Sequence, residues 1–149
     1  MAKKVLMVCL GNICRSPLAE GIFRHLASAK DFVVASAGTA NYHTGAQPDT
    51  RSIDVARKNG IDISNQKARQ LTAQDLEDFD HIFVMDEQNL INAHALSTSE
   101  TQRQKISLLT EASGVNAENV PDPYYGDEKD FEYVFDLVYH CCSAWLAKQ

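Results

Sequence analysis

Residues 5–17 constrain the fold more than any other segment of the chain. Residues 5–8 read Val-Leu-Met-Val, and a short apolar run with β-branched ends is typical of a strand buried on both faces of a sheet. Ser16 and Pro17 are the residue types preferred at the N-cap and first position of a helix. The segment therefore predicts a strand, a loop and a helix, with Cys9 at the carboxyl end of the strand. The apolar stripe of this helix is expected at Leu18, Ile22 and Leu26.

The loop between this strand and helix has the residues of an anion-binding nucleophile site. The amino end of a helix offers unpaired N–H groups and the positive end of the helix dipole. Gly11 and Asn12 tolerate the left-handed backbone that curls amides around an oxyanion, and Arg15 can hold two phosphoryl oxygens at once. The same positive field favours the thiolate of Cys9, so the loop predicts phosphate binding and nucleophilic attack in one place.

Apolar runs typical of strands alternate with segments of helical periodicity along the chain. The runs are residues 5–8, 32–35, 82–85 and 106–109. The alternation predicts an α/β fold with a four-stranded, mainly parallel sheet and helices on both faces. The length of 149 residues fits a single domain over residues 1–149, with the phosphate-binding loop after the first strand.

Several helices are indicated by their end signals. Residues 49–59 predict a helix followed by Gly60, with inner residues at Ile53, Val55 and Ala56. Thr72 with Asp75 predicts a capping box. Asp86 is expected to cap the helix that carries Leu90, Ile91, Ala95 and Leu96. The stripe of the last helix is expected at Phe131, Val134, Phe135, Val138, Cys142 and Trp145, with the Cys141-Cys142 pair as core rather than a redox pair.

Composition and charge restrict the function classes. The net charge is −6 and no basic stripe is present, which argues against nucleic acid as a partner. No signal-peptide pattern and no run long enough to span a bilayer occur, so we expect a cytoplasmic monomer that does not bind membranes. The four cysteines, at 9, 14, 141 and 142, have the spacing of neither a disulfide framework nor a metal site.

Two motifs resemble one enzyme family. The stretch CLGNICRSP at residues 9–17 resembles the active-site loop of the low-molecular-weight protein tyrosine phosphatases. The stretch DPYY at residues 122–125 resembles the general-acid loop of that family and lies over a hundred residues away, where the family has it. Shorter echoes extend the match over nearly the whole chain, at residues 36–38, 60–61, 68–69 and 85–86.

The resemblance implies a cysteine-dependent phosphatase that acts on tyrosine-phosphorylated proteins or small aryl phosphates and needs no metal or other cofactor. Cys9 would be the nucleophile, Arg15 would bind the phosphoryl group, and Asp122 would act as general acid and then base. The phosphate-binding residues would be Leu10, Gly11, Asn12, Ile13, Cys14, Arg15 and Ser16.

The resemblance also implies supporting roles around the loop. Ser16 would hydrogen-bond Cys9, and Asn12 with Ser36 would lock the loop. Cys14 would be a resolving thiol that traps oxidised Cys9 as a disulfide, although packing alone would also account for it. The substrate cleft would be lined by Tyr42, Tyr124 and Tyr125, the last of which could equally be a surface tyrosine without a role.

One departure and three alternatives bear on this interpretation. Gln66, a supporting residue, stands where many members have histidine, so the rigidity of the loop and its response to pH can differ from theirs.

A thiol-dependent arsenate reductase would need further cysteines in mid-chain, and none lies between Cys14 and Cys141. A phosphoarginine phosphatase is expected to have threonine in place of Ile13. A non-catalytic phosphate-binding module would lack part of the catalytic set. In isolation, Cys9 could also be a small buried hydrophobe.

Overall fold

A four-stranded, wholly parallel sheet in the order β2-β1-β3-β4 forms the centre of the fold. The computed structural model describes residues 2–27 and 31–149. The strands are β1 (Lys3–Cys9), β2 (Phe32–Gly38), β3 (His81–Val84) and β4 (Ile106–Leu108). The helices are α1 (Arg15–Leu26), α2 (Thr50–Lys58), α3 (Ala73–Asp78), α4 (Glu87–Leu96), α5 (Glu100–Gln104), α6 (Leu109–Ser113) and α7 (Glu128–Ala147). The predicted single-domain α/β architecture is confirmed.

The first strand is the core of the sheet because it pairs with β2 on one side and β3 on the other. Its residues alternate between two apolar clusters, with Val5 and Met7 facing α1, α2 and α7, and Leu6 and Val8 facing α3 and α4. All four side chains are fully buried. Burial on both faces explains why this strand reads as an uninterrupted apolar run.

Helix α1 begins two residues earlier than the sequence predicts. Cys14 is the N-cap and makes no side-chain capping bond, so the prediction of Ser16 as N-cap is wrong. Ser16 lies in the first turn, where its hydroxyl contacts Asn12 and Cys9 instead of a helix amide. Pro17 is also in the first turn, where the missing N–H costs no intrahelical bond.

The other helix ends agree with their sequence signals. Asp49 caps α2, and Gly60 follows the C-cap with a φ of +78°, a conformation that favours glycine. Thr72 forms a capping box with Asp75 before α3. Asp86 caps α4, although Ile91 and Leu96 of that helix are exposed and its buried residues are Asn89 and Ala93.

The last helix packs its apolar stripe against α1, α2 and α6. All six residues predicted for the stripe are buried, and Cys141 and Cys142 are free thiols in the core. Over the described ranges 2–27 and 31–149, no helix is both long and apolar enough to cross a membrane.

Candidate active site

A cleft of about 340 Å³ opens at the carboxyl edge of the sheet. It forms where the loop after β1 meets the segment before α7, the edge at which open parallel sheets hold their ligands. The cleft is lined by Cys9, Leu10, Gly11, Ile13, Cys14, Arg15, Tyr42, His43, Asp122, Tyr124 and Tyr125. The structure thus brings together residues that are more than a hundred positions apart in the chain.

A directed chain of hydrogen bonds ends at the Cys9 sulfur. The side-chain amide of Asn12 donates to Ser16 Oγ at 2.7 Å, and Ser16 Oγ lies 3.0 Å from Cys9 Sγ. Since Asn12 occupies a lone pair of the Ser16 oxygen, the single Ser16 hydroxyl hydrogen is available to the Cys9 sulfur or to the carbonyl of Ala37, which lies 3.5 Å away.

The same chain continues inward to a buried carboxylate. Asn12 also donates to Ser36 Oγ at 3.0 Å, and Ser36 donates to Glu20 Oε1 at 2.7 Å. Glu20 is paired with Arg24, whose Nη2 lies 2.7 Å from Glu20 Oε2. The Asn12 carbonyl oxygen accepts from the Arg69 backbone N–H at 3.0 Å, so every polar group of the Asn12 amide is used. The loop is therefore fixed from α1, β2 and the segment after α2.

Gly11 and Asn12, both expected to adopt a left-handed backbone, differ in their φ angles. Asn12 has a φ of +59°, as expected. Gly11 does not adopt a positive φ, so that part of the expectation is wrong. Space at Gly11 is tight, because a Cβ there would lie 3.1 Å from the His43 ring, which would have to give way. Gly38 at the end of β2 is confined more strictly, since a Cβ would lie 2.7 Å from the backbone carbonyl oxygen of Leu10.

The backbone amides of the loop have no hydrogen-bond partner in the described part of the chain. The carbonyls of Cys9 and Leu10 accept from residues 39 and 40, and the carbonyl of Ile13 accepts from Asp49 at 2.7 Å. In contrast, none of the N–H groups of residues 10–15 donates a hydrogen bond to an atom of residues 2–27 or 31–149. Consecutive unpaired amides beside a helix amino end form a binding site for an oxyanion.

Arg15 is held in place by two acceptors below the cleft. Its side chain is 2% exposed, and Nη1 donates to Asp86 Oδ2 at 2.6 Å and to the carbonyl of Val120 at 3.0 Å. Its second terminal nitrogen, Nη2, lies 3.7 Å from Asp122 Oδ2. The hydrogen bonds of Nη1 thus fix the orientation of the guanidinium, and its Nη2 side faces the cleft.

Asp122 and the tyrosines form the opposite, more exposed wall. The Asp122 side chain is 41% exposed, and its Oδ1 accepts from the Tyr124 backbone N–H at 3.1 Å. Tyr124 packs edge-on against Tyr125 with ring centroids 4.9 Å apart. Tyr125 is 95% exposed and Tyr42 is 73% exposed, so both rings are free to reorient around an aromatic ligand.

The two thiols of the loop have different surroundings. Cys14 is buried, and burial, followed by the negative charges of Asp49, Cys9 and Asp122, raises the pKa of the Cys14 thiol to about 12. Cys14 is therefore a neutral thiol at pH 7. The Cys9 sulfur instead lies 3.0 Å from Ser16 Oγ.

Gln66 does not take the position expected of a direct loop support. Its amide donates to the carbonyl of Pro17 at 3.0 Å, and no hydrogen bond joins it to Asn12 or Ser36 among the described residues. It therefore stabilises the first turn of α1, while Glu20 takes the contact with Ser36.

Sequence reasoning missed His43 in the lining of the cleft. It also missed the contacts that Glu20, Arg51 and Asp86 make with residues of the loops around the cleft. The sequence indicates Asp86 as a helix cap and as part of a short family echo, but not as a partner of Arg15. It lies two residues after the end of β3, and a carboxylate at the carboxyl end of a strand next to β1 is a signal for such a role. Glu20 carries a weaker signal, because an acidic residue on the buried face of α1 requires a partner.

Comparisons with known proteins agree with this geometry. The profile of the family described as low molecular weight phosphotyrosine protein phosphatase matches residues 4–149. The human protein of that name is 42% identical over 151 residues, covering 98% of this chain and 95% of the relative.

Two solved structures are similar to this one. A protein tyrosine phosphatase from Entamoeba histolytica, with Hepes in its active site, has a TM-score of 0.92 at 35% identity and covers 99% and 96% of the two chains. Vibrio vulnificus Wzb in complex with benzylphosphonate has a TM-score of 0.89 at 31% identity and covers 100% of both.

The fold and these relatives define a phosphatase enzyme. The chain belongs to the low molecular weight phosphotyrosine protein phosphatase family, which confirms the resemblance inferred from the two motifs.

Proposed function

We propose that the protein hydrolyses phosphotyrosine and small aryl phosphates through a phosphocysteine intermediate on Cys9. The observation that carries the proposal is the run of amides at residues 10–15 that have no hydrogen-bond partner among residues 2–27 and 31–149, in a cleft that Cys9 and Arg15 also line. These donors match the equatorial oxygens of a phosphoryl group under attack by the sulfur.

The reaction divides into two displacements. In the first, the Cys9 thiolate attacks phosphorus in line, the bond to the phenolic oxygen breaks, and Asp122 gives its proton to the departing phenolate. In the second, Asp122 takes a proton from a water molecule, the resulting oxygen attacks phosphorus, and Cys9 leaves as a thiolate. The Ser16 hydroxyl, 3.0 Å from the sulfur, stabilises this leaving thiolate.

The shape of the cleft supports an aryl substrate. Tyr42 and Tyr124 stand at the rim above the loop, where they can stack on a phenyl ring whose phosphate reaches Cys9. Benzylphosphonate, the ligand of the similar Vibrio protein, combines a benzyl ring with a phosphonate group. The surface net charge of −6 disfavours polyanionic substrates such as RNA.

A comparison of substrates tests the proposal. Turnover is expected with a phosphotyrosine peptide and 4-nitrophenyl phosphate, with little turnover of phosphoserine, phosphoarginine or arsenate. Acid quenching during turnover should trap one phosphoryl group on the peptide that contains Cys9, and Cys9→Ser should yield none. Preference for phosphoarginine or arsenate would overturn the substrate assignment, and turnover without a trapped phosphoryl group in any variant would overturn the intermediate.

A further inference from the structure

Arg51 connects the two loops of the active site, although no motif singles it out. It lies in the first turn of α2, beside the N-cap residue Asp49. Its Nε and Nη2 atoms donate to the two oxygens of the Asp49 carboxylate at 3.0 and 2.9 Å. Nη2 also donates to the carbonyl of Tyr124 at 2.9 Å, and Nη1 donates to the carbonyl of Gly126 at 3.3 Å. The guanidinium carbon lies 4.5 Å from the centre of the Phe131 ring.

The start of α2 is itself fixed to the phosphate-binding loop. The backbone N–H of Asp49 donates to the carbonyl of Ile13 at 2.7 Å, and the Ser52 hydroxyl donates to the carbonyl of Cys14 at 3.3 Å. Arg51 thus stands on an element whose position relative to Cys9 is set by hydrogen bonds.

The acid loop, residues 122–126, has few other restraints. Its internal bonds join Tyr124 to Asp122 and Gly126 to Pro123. Within the described part of the chain, the hydrogen bonds to its backbone from outside the loop come from Arg51 alone. Pro123 is buried, but the other four residues of the loop are exposed.

We propose that Arg51 is the positioning residue that holds Asp122 at the distance from Cys9 needed for proton transfer. The inference rests on the proposed role of Asp122 as general acid. Displacing a catalytic group by about 1 Å costs on the order of 100-fold in rate, so loss of the two carbonyl contacts weakens proton delivery while anion binding is kept. Lysine cannot replace Arg51, because an ammonium lacks the planar fork that reaches the carboxylate and both carbonyls.

Aryl phosphates with different leaving groups separate this role from a merely structural one. Phenyl phosphate needs a proton on its leaving oxygen, whereas 4-nitrophenolate is a weak base and leaves without one. Arg51→Met and Arg51→Lys are expected to lower kcat/KM for phenyl phosphate by roughly tenfold or more and for 4-nitrophenyl phosphate by about twofold or less. Arg57→Met is the matched control, since Arg57 lies on the same helix, is 66% exposed and, among the described residues, forms an ion pair only with Asp54, at 3.8 Å. The control should leave both values unchanged.

The same measurements in the Asp122→Asn background decide whether Arg51 acts through Asp122. In that background, Arg51→Met should lower kcat/KM for phenyl phosphate and for 4-nitrophenyl phosphate by the same factor. Equal losses on both substrates, or an additional leaving-group effect in the Asp122→Asn background, would overturn the inference while leaving the role of Asp122 intact. Absence of leaving-group dependence in Asp122→Asn alone would overturn the role of Asp122 and the inference with it. Phosphate inhibition and Tm, measured for every variant, should show Arg51→Met folded and still able to bind the anion.

Discussion

The two loops of the active site are built in opposite ways. The phosphate-binding loop, residues 9–15, is mostly buried and is fixed through Asn12, through its carbonyls and through Arg15. The acid loop, residues 122–126, is mostly exposed and is joined to the rest of the protein through Arg51 and the 3.7 Å contact of Asp122 with Arg15. This contrast fits the two tasks, because binding an anion requires donors fixed in advance, whereas proton delivery needs a group that remains accessible to water.

The largest effect is expected at the nucleophile and its cation. Cys9→Ser should abolish turnover with every substrate, because a serine hydroxyl lacks the ionised sulfur, while phosphate still binds to the amides and Arg15. Arg15→Lys should lower kcat/KM by roughly 10²-fold or more, since an ammonium cannot reproduce the guanidinium fork. Steady-state kinetics and phosphate binding by calorimetry measure the two effects. Substantial turnover by Cys9→Ser would contradict the covalent route.

The second effect belongs to the acid loop and should depend on the substrate. Asp122→Asn is expected to lower kcat/KM by roughly 10²- to 10⁴-fold for phenyl phosphate and far less for 4-nitrophenyl phosphate. Because Asp122 acts while protonated and Cys9 while ionised, wild-type activity should form a bell with its optimum below pH 7. The alkaline limb should disappear in Asp122→Asn. An unchanged alkaline limb would assign the acid to another residue.

The third effect tests how firmly Asn12 holds the phosphate-binding loop. Asn12→Gly removes three buried hydrogen bonds and should lower the free energy of unfolding by about 3 kcal/mol. Asn12→Ala should cost about 0.5 to 1 kcal/mol more, because alanine must also adopt the φ of +59°. Denaturant unfolding measures both values. Activity losses should be equal for phenyl and 4-nitrophenyl phosphate, and an unequal loss would mean that Asn12 influences the acid.

The smallest effect concerns oxidation of the phosphate-binding loop. Peroxide should inactivate the enzyme, dithiothreitol should restore it, and peptide mapping should find Cys9 linked to Cys14. Because the pKa of Cys14 is raised to about 12, its thiolate fraction grows about tenfold per pH unit below that value, so protection from irreversible oxidation should improve as the pH rises. Recovery that is just as complete in Cys14→Ser would reduce Cys14 to a packing role.

The fold was predictable where short-range rules decide it. The strand at β1, the helix within residues 49–59, the caps at Thr72 and Asp86, and the stripe of α7 each follow from local pattern, and the structure confirms them. Ser16 was misjudged because its hydroxyl is taken by Asn12 and Cys9, a competition between local and tertiary hydrogen bonds that sequence alone does not reveal.

The site was predictable only in its motifs. Cys9, Arg15 and Asp122 lie in recognisable stretches, and the structure brings them to one cleft. The contacts of Glu20 with Ser36, and of Arg51 with residues 124 and 126, depend on how separate elements pack. Gln66 illustrates the same limit, because its bond to Pro17 follows from the path of the chain after α2.

The central place of β1 has a consequence for hydrogen exchange. Its amides are protected by a strand on each side and by apolar layers above and below, so they should exchange only when the whole domain unfolds. Amides in the exposed acid loop should exchange through local opening. We therefore expect β1, which carries Cys9, to stay folded during local openings that displace Asp122. In the proposed mechanism, such states should still bind inorganic phosphate although they cannot turn over substrate.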